Sequence, residues 1–171
     1  MPEEFQEIES IEQASLPHRP NMNSLPSACG TYVLAYFLSR SQKIEIGRLG
    51  EIAFRKGYYL YVGSAFGRGG LSARLGHHLN PNAPSRWHID YLGRIAQLME
   101  IWFSKNPAKL EHQWAGALAG IVGKQPFLKK FGSSDCCCYT HLFYLSQKPT
   151  KEKMMEDAGE VELEVLILER G

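Results

Sequence analysis

The succession of apolar segments predicts an α/β fold of the α+β kind, in which a small central mixed or antiparallel sheet is flanked by helices. Two β-branched and aromatic runs lie close together at residues 30–38 and 57–63, as in strands that pair without a helical crossover. Helical spacing then appears twice, separated by a further strand-like run. The resulting order, β-β-α-(α)-β-α-β, lacks the regular alternation of a doubly wound sheet.

The first half of the chain's body is predicted to hold two main strands, two short extended pieces and two helical segments. In chain order these are residues 30–38, 43–46, 51–54, 57–63, 71–80 and 85–92. The helix over 71–80 depends on Leu71, Leu75 and Leu79, which repeat at helical spacing, and Asn80-Pro81 ends it. Ser85 is the predicted N-cap of the second helical segment.

The second half of the body is predicted to add two strands and a helix. A strand covers 94–104, Asn106-Pro107 opens a helix from 107 to about 122, and residues 140–145 form the last strand of the body. The tail over 160–169 alternates apolar and mostly acidic residues, which predicts an added edge strand.

We therefore divide the chain into an N-terminal arm (1–27), one body (28–148) and an acidic C-terminal extension (149–171). No run approaches the roughly 18 apolar residues of a membrane helix. The acidic N-terminus lacks the basic and apolar regions of a signal peptide. These features predict a cytoplasmic protein with no membrane partner.

Charge is segregated along the chain. Residues 16–150 contain sixteen basic and six acidic residues, whereas the two ends, 1–15 and 151–171, contain twelve acidic and three basic ones. A basic body suits a polyanionic partner, because Lys and Arg release counterions from a phosphate backbone. A dispersed solvated surface would give the same sum, so the charge favours nucleic acid without requiring it.

The cysteines form no disulfide framework, because three are contiguous at 136–138 and Cys29 stands alone. The residues that could hold Zn²⁺ are Cys136, Cys138 and His141, with Cys29 or Asp135 as a distant fourth. Their spacing lacks the paired knuckles of a zinc finger. We therefore favour packed, reduced thiols over a Zn²⁺ site at this cluster.

Four groups of residues are candidates for a catalytic or binding role: Tyr32, Tyr61, the pair Arg74 and His78, and Glu111. Arg74 and His78 lie four residues apart on one predicted helix, which suits anion binding together with proton transfer. A carboxylate such as Glu111 can hold one hard cation. Each residue also has an ordinary structural interpretation: strand aromatics in the core, a solvated arginine, and a glutamate favoured by the helix dipole.

Nucleic-acid contacts are predicted along the glycine-rich segment that follows Tyr61 and on two nearby histidines. Backbone N–H groups of glycine-rich turns can meet phosphate oxygens. The residues concerned are Gly63, Ser64, Arg68, Gly69, Gly70, His77 and His88.

The order of these groups resembles the GIY-YIG nuclease superfamily, with GTY at 30–32 and YVG at 61–63 in the place of the two name-giving tripeptides. The blocks YVGSAFGRGGLSARLGHHL, RWHIDYL and FGSSDCCCYTHLFYL look like one branch of it, domain of unknown function 123, which also occurs fused to some endonuclease III proteins. The resemblance covers about residues 29–147. It implies a GIY-YIG-like β-β-α-β-α core with extra strands.

The resemblance further implies a divalent-metal-dependent endonuclease. In that scheme Tyr61, assisted by Tyr32, orients the attacking water, and Arg74 stabilises charge on the transition state. Glu111 holds Mg²⁺ or Mn²⁺, and His78 is an alternative base or a phosphate donor. DNA is favoured over RNA, with DNA repair suggested by the endonuclease III fusions.

The spacing of the two tyrosines departs from the superfamily pattern. The two tyrosines are 29 residues apart, so residues 39–56 are an insertion expected to reshape the substrate surface. Glu100 is a rival acid, although it lies within a strand pattern. Two other functions remain as alternatives: a noncatalytic nucleic-acid-binding module of the same fold, and a zinc-stabilised interaction domain.

Overall fold

The computed structural model of the protein describes residues 25–123, 128–133, 136–159 and 162–168. Within these residues it contains seven strands: β1 (Thr31–Leu38), β2 (Gln42–Glu45), β3 (Glu51–Phe54), β4 (Gly57–Ser64), β5 (Gln97–Ser104), β6 (Leu142–Leu145) and β7 (Glu164–Ile167). It also contains four α-helices: α1 (Gly70–Leu79), α2 (His88–Gly93), α3 (Glu111–Val122) and α4 (Lys151–Ala158). The predicted N-terminal arm lies outside the described residues up to residue 24.

Five strands form one sheet in the order β6-β4-β1-β5-β7, and every neighbouring pair is antiparallel. Strands β2 and β3 form a separate two-stranded hairpin. The α+β class is therefore confirmed, and of the two predicted kinds of sheet the antiparallel one is observed. The predicted tail strand is also present, since β7 pairs with β5 at the edge of the sheet.

Helices cover both faces of the sheet, because side chains alternate along each strand. From β1, Tyr32 and Leu34 pack in one core with α1, α2 and the β2–β3 hairpin, whereas Val33 and Ala35 pack in the other core with α3 and α4. The insertion over 39–56 thus stabilises the first core, and Phe54 of the hairpin is 1% exposed there.

The predicted boundary of α3 was wrong. The helix begins at Glu111, not at Pro107, because the Asn106 side chain accepts a hydrogen bond from the Ala108 N–H (2.9 Å) and forms a local turn instead of a helix cap. The consequence for the site is that Glu111 lies in the first turn of the helix.

The predicted cap of α2 was also wrong, since the helix begins at His88 and Trp87 is its N-cap. The carboxylate of Asp90 accepts hydrogen bonds from the backbone N–H groups of Arg86 (2.8 Å) and Trp87 (2.9 Å). These bonds cap the start of the helix, which is the role predicted for Ser85. The predicted strand over 94–104 is shorter and begins at Gln97.

Helix α4 was missed in the sequence. Its eight residues include five charged ones, and only Met154 and Ala158 are buried. Thr150 caps it by accepting the Lys153 N–H. None of the helices in the described ranges has both the length and the apolar content that a membrane crossing requires.

Candidate functional site

A cleft of about 680 Å³ lies at the end of the sheet where β1 begins and β4 ends. Residues from β1, β4, α1, α2, α3 and the segment before β6 line it. The sequence-predicted residues in its lining are Tyr32, Tyr61, Gly63, Ser64, Arg74, His88, Glu111, Cys136 and His141. No residue of the insertion over 39–56, all of which is described, is among the residues that line this cleft.

The two tyrosines share one face of the sheet. Tyr32 pairs with Gly63 on β4, and Tyr61 lies two residues before Gly63, so both rings project to the same side. A Cβ atom at Gly63 would lie 2.4 Å from the Tyr32 ring, which shows that the ring crosses β4 over the glycine. Gly132, with φ of +69°, packs on the Tyr61 ring in the same way.

Tyr32, His78 and Asp90 form a chain of polar contacts behind the cleft. The Tyr32 hydroxyl lies 3.0 Å from His78 Nε2, and His78 Nδ1 lies 3.3 Å from Asp90 Oδ1. The His78 side chain is 1% exposed, so it does not reach into the cleft. Its contact with the site passes through Tyr32.

The protonation of this chain follows from burial. Burial raises the pKa of Tyr32 well above 10.0, and neighbouring Tyr61 adds to the shift. Burial lowers the pKa of His78 below 6.5 more than the Asp90 carboxylate raises it. At neutral pH, Tyr32 is therefore a phenol beside a neutral imidazole, and an imidazole with its proton on Nδ1 accepts the phenol proton at Nε2.

Asp90 stays ionised although it is shielded from water. Burial acts to raise the pKa of Asp90, but bonds from His78, from the Trp87 and Arg86 N–H groups and from His77 hold it well below its usual range. Two histidines contact this carboxylate: His77 Nε2 lies 3.1 Å from Asp90 Oδ2, and His78 Nδ1 lies 3.3 Å from Asp90 Oδ1.

Arg74 is held by an aromatic ring at the wall of the cleft. Its guanidinium carbon lies 4.0 Å from the centroid of the Trp87 ring, a cation–π contact. Trp87 was not predicted as a site residue. The contact orients a permanent positive charge in the cleft that also contains Tyr61.

Glu111 projects from the first turn of α3 into the cleft. Its Oε2 accepts a hydrogen bond from the Ser64 hydroxyl (2.9 Å), and its Oε1 lies 3.2 Å from His141 Nδ1. Burial acts to raise the pKa of Glu111, but the contacts with His141 and Ser64 outweigh it and lower the pKa below 4.5. The carboxylate is therefore ionised at neutral pH and 21% exposed.

These features fit a single hard cation at Glu111. Each carboxylate oxygen has a second lone pair beyond the one used by Ser64 or His141. No second carboxylate among the described residues lines the cleft, so water would complete the coordination of the ion. The rival acid Glu100 lies outside the cleft, where it accepts the Trp102 indole N–H (2.8 Å) and pairs with Lys148.

The cysteine segment forms one wall of the same cleft. The ligand atoms of Cys136, Cys138 and His112 all lie within 4.8 Å of one another, and Cys136 Sγ lies 3.4 Å from His141 Nε2. The distant ligand Cys29 is not in this group. Asp135 lies outside the described residues.

Several predicted nucleic-acid contacts lie away from the cleft: Arg68, Gly69, Gly70 and His77. The Gly70 N–H donates to the Gly67 carbonyl (3.1 Å), so that N–H is not free to meet phosphate. Gly70 is also buried against the backbone of residues 27 and 28. His77 instead contacts Asp90 at 3.1 Å and packs on Trp87.

Five lining residues were not predicted: Arg86, Trp87, Lys109, His112 and Gly132. The sequence contained one clue to His112, because this residue directly follows the predicted site residue Glu111. The other four depend on contacts between segments that are distant in the chain, which spacing along the sequence does not reveal.

Comparison with known proteins identifies one family. Residues 31–163 match the family described as "Domain of unknown function DUF123". No curated protein and no solved structure matches the chain. The match runs from the first residue of β1 to the segment before β7, and so includes every residue named above as lining the cleft. The chain therefore belongs to the DUF123 family.

Proposed function

We propose that the protein is a divalent-metal-dependent endonuclease that hydrolyses phosphodiester bonds in DNA, and that it acts in the cytoplasm. The observation that carries the proposal is the convergence of Tyr32, Tyr61, Arg74 and Glu111, from four separate elements, on one cleft. Their order along the chain is the order that the GIY-YIG resemblance requires. The fusion of this domain to endonuclease III in some proteins favours DNA as the substrate.

The two tyrosines serve to orient the attacking water. Tyr61 lines the cleft beside Tyr32, whose hydroxyl contacts neutral His78. A proton taken up from the water by Tyr32 can be balanced by the loss of the Tyr32 proton to His78. The Asp90 carboxylate, 3.3 Å from Nδ1, stabilises the imidazolium that forms.

Arg74 supplies positive charge to the phosphate. Because its guanidinium lies on the Trp87 ring, little reorganisation is needed as charge develops in the transition state. Arg86 and Lys109 also line the cleft and are exposed, so they suit the flanking phosphates.

Glu111 is the proposed holder of Mg²⁺ or Mn²⁺. When bound there, the cation would supply Lewis-acid stabilisation of the charge on the phosphate and the leaving oxygen. Ser64 and His141 keep the Glu111 carboxylate ionised and hold its side chain in one rotamer, so that it is ready to bind the cation.

Cleavage assays test the proposal. Labelled duplex, single-stranded and branched DNA, and matched RNA, are incubated with the protein in Mg²⁺, Mn²⁺ or EDTA. We expect metal-dependent cleavage of DNA that Tyr61→Phe reduces at least about tenfold. Tyr58→Phe is the matched control, because Tyr58 lies on the same strand but outside the cleft.

The alternative of a noncatalytic module gives a different result in the same assay. Binding that weakens with salt, without a cleaved product in any metal, would favour that module and contradict the proposed hydrolysis.

A further inference from the structure

We propose that His112, Cys136 and Cys138 form a binding site for a thiophilic divalent cation, of which Zn²⁺ is the representative. This site is separate from the hard-cation position proposed at Glu111, and it goes beyond the proposed nuclease function. As predicted, the thiols are free, and Cys138 packs against the second core. Neither Cys136 nor Cys138 is fully buried and His112 is exposed, so all three side chains are open to an ion.

The separation of the ligand atoms suits a tetrahedral ion. Zn–S bonds of about 2.3 Å and Zn–N bonds of about 2.0–2.1 Å place tetrahedral ligands roughly 3.5–3.8 Å apart. The donor atoms of His112, Cys136 and Cys138 lie within 4.8 Å of one another, so side-chain adjustments of about an ångström or less close the site. Two thiolates and an imidazole are the donors that select Zn²⁺ over Mg²⁺.

The backbone of the cysteine segment is held on both sides. The Lys130 side chain donates to the Cys136 carbonyl (2.9 Å), and the Lys130 N–H donates to the Tyr139 carbonyl (2.7 Å). The His141 N–H donates to the Phe131 carbonyl (2.9 Å). Two ligands therefore come from a fixed turn and the third from helix α3, which lowers the entropic cost of binding.

His141 lies between the two proposed sites. Its Nε2 lies 3.4 Å from Cys136 Sγ, and its Nδ1 lies 3.2 Å from Glu111 Oε1. His141 is not in the group whose ligand atoms all lie within 4.8 Å of one another. The three protein ligands are therefore His112, Cys136 and Cys138, and water would complete the tetrahedral coordination of the ion.

Metal binding without nucleic acid tests this site. The full chain is reduced, stripped with chelator and titrated with Co²⁺ and then Zn²⁺. We expect one equivalent of Co²⁺ to produce thiolate-to-cobalt absorption that Zn²⁺ abolishes by displacement. Cys136→Ser, Cys138→Ser and His112→Ala should each weaken binding at least about tenfold.

Cys29→Ser and Cys137→Ser are the matched controls, because both thiols are exposed and neither belongs to the cluster. They should bind the metal as the unchanged protein does. Circular dichroism of each stripped variant separates loss of a ligand from loss of the fold, and only variants with an unchanged spectrum are compared. Absence of thiolate–cobalt absorption, or equal weakening by Cys137→Ser, would overturn the proposal.

The test does not depend on the nuclease. Glu111→Ala should abolish cleavage yet retain the thiolate–cobalt absorption, because Glu111 is not one of the three proposed ligands. Metal binding in a protein that cleaves nothing would contradict the proposed function and leave this site supported.

Discussion

Each tyrosine of the cleft is positioned by a glycine from another segment. Gly63 gives the Tyr32 ring room to lie across β4, and Gly132 gives the Tyr61 ring room in the same way. The sequence motif YVG at 61–63 therefore has a steric meaning: its glycine serves the tyrosine of the neighbouring strand, not the tyrosine within the motif.

Gly63→Ala tests this packing. The added Cβ would lie 2.4 Å from the Tyr32 ring, so the ring must shift, which disturbs the 3.0 Å contact of its hydroxyl with His78. We expect unfolding stability to fall by about 1–3 kcal/mol and cleavage to fall at least about tenfold, measured by urea denaturation and DNA cleavage. Gly76→Ala on α1 is the control: no atom lies within 4 Å of its Cβ, and stability should rise by about 0.5–1 kcal/mol.

The pH dependence of cleavage should report His78. Because burial lowers its pKa below 6.5, His78 is neutral at pH 7 and can accept the Tyr32 proton. Cleavage should therefore be constant near neutrality and decline only as the pH falls through the lowered pKa of His78. The pKa of Glu111 is also lowered, from 4.5, so a variant of His78 is needed to assign the decline.

The profile of kcat/KM against pH for His78→Gln tests whether His78 causes the decline. The variant should be slower and should lack the decline, whereas His88→Gln should retain it, because His88 contacts the Gly132 N–H instead of Tyr32. A decline that persists unchanged in His78→Gln would contradict the proposed proton path.

At the scale of elements, the strands were predicted well, including the short strands β2, β3 and β7, whereas the polar helix α4 was not predicted. β1 and β4 are apolar and aromatic along their whole length, because helices bury both faces of the sheet. Helix α4 escaped prediction because its buried side is only Met154 and Ala158, two residues four apart in a charged segment. Helix α4 packs against α3, and this tertiary contact cannot be predicted from the local sequence pattern.

Met154→Ala tests whether α4 is part of the second core. Met154 is fully buried among residues of α3 and the sheet, so the substitution leaves a cavity. We expect a loss of about 2–5 kcal/mol in the free energy of unfolding by urea. Lys153→Ala, at an exposed position of the same helix, should change the stability by less than about 0.5 kcal/mol. Equal effects of the two substitutions would mean that α4 does not pack as described.

At the scale of the whole molecule, the structure brings some of the predicted site residues together and leaves others apart. Tyr32, Tyr61, Arg74 and Glu111 meet at one cleft although they are spread over 80 residues of the chain. His78 instead lies behind Tyr32, and Arg68 lies outside the lining. The sequence shows which residue types are present and in what order. The contacts of Asp90 with His78 and of His112 with Cys136 form only when α1, α2 and α3 pack on the sheet, so the sequence did not reveal them.

The basic body of the chain leads to a prediction about salt. Arg86 and Lys109 line the cleft and are exposed, so each is expected to neutralise one phosphate. Replacing either by Ala should reduce the slope of log affinity against log salt by about one, measured by fluorescence anisotropy on duplex DNA. Arg48→Ala on the β2–β3 connection, which is exposed but outside the lining, should leave the slope unchanged. Equal slopes for all three variants would place the DNA elsewhere on the surface.

The most direct test of the central claim is single-turnover cleavage of one duplex DNA in Mg²⁺ by the unchanged protein, Glu111→Gln and Glu100→Gln. Both substitutions remove one negative charge, but only Glu111 lies in the cleft. We predict cleavage by the unchanged protein and by Glu100→Gln, and a rate at least about 100-fold lower for Glu111→Gln with DNA binding retained. Cleavage undiminished in Glu111→Gln, or absent from the unchanged protein in every divalent metal, would contradict the assignment of this cleft as a nuclease site.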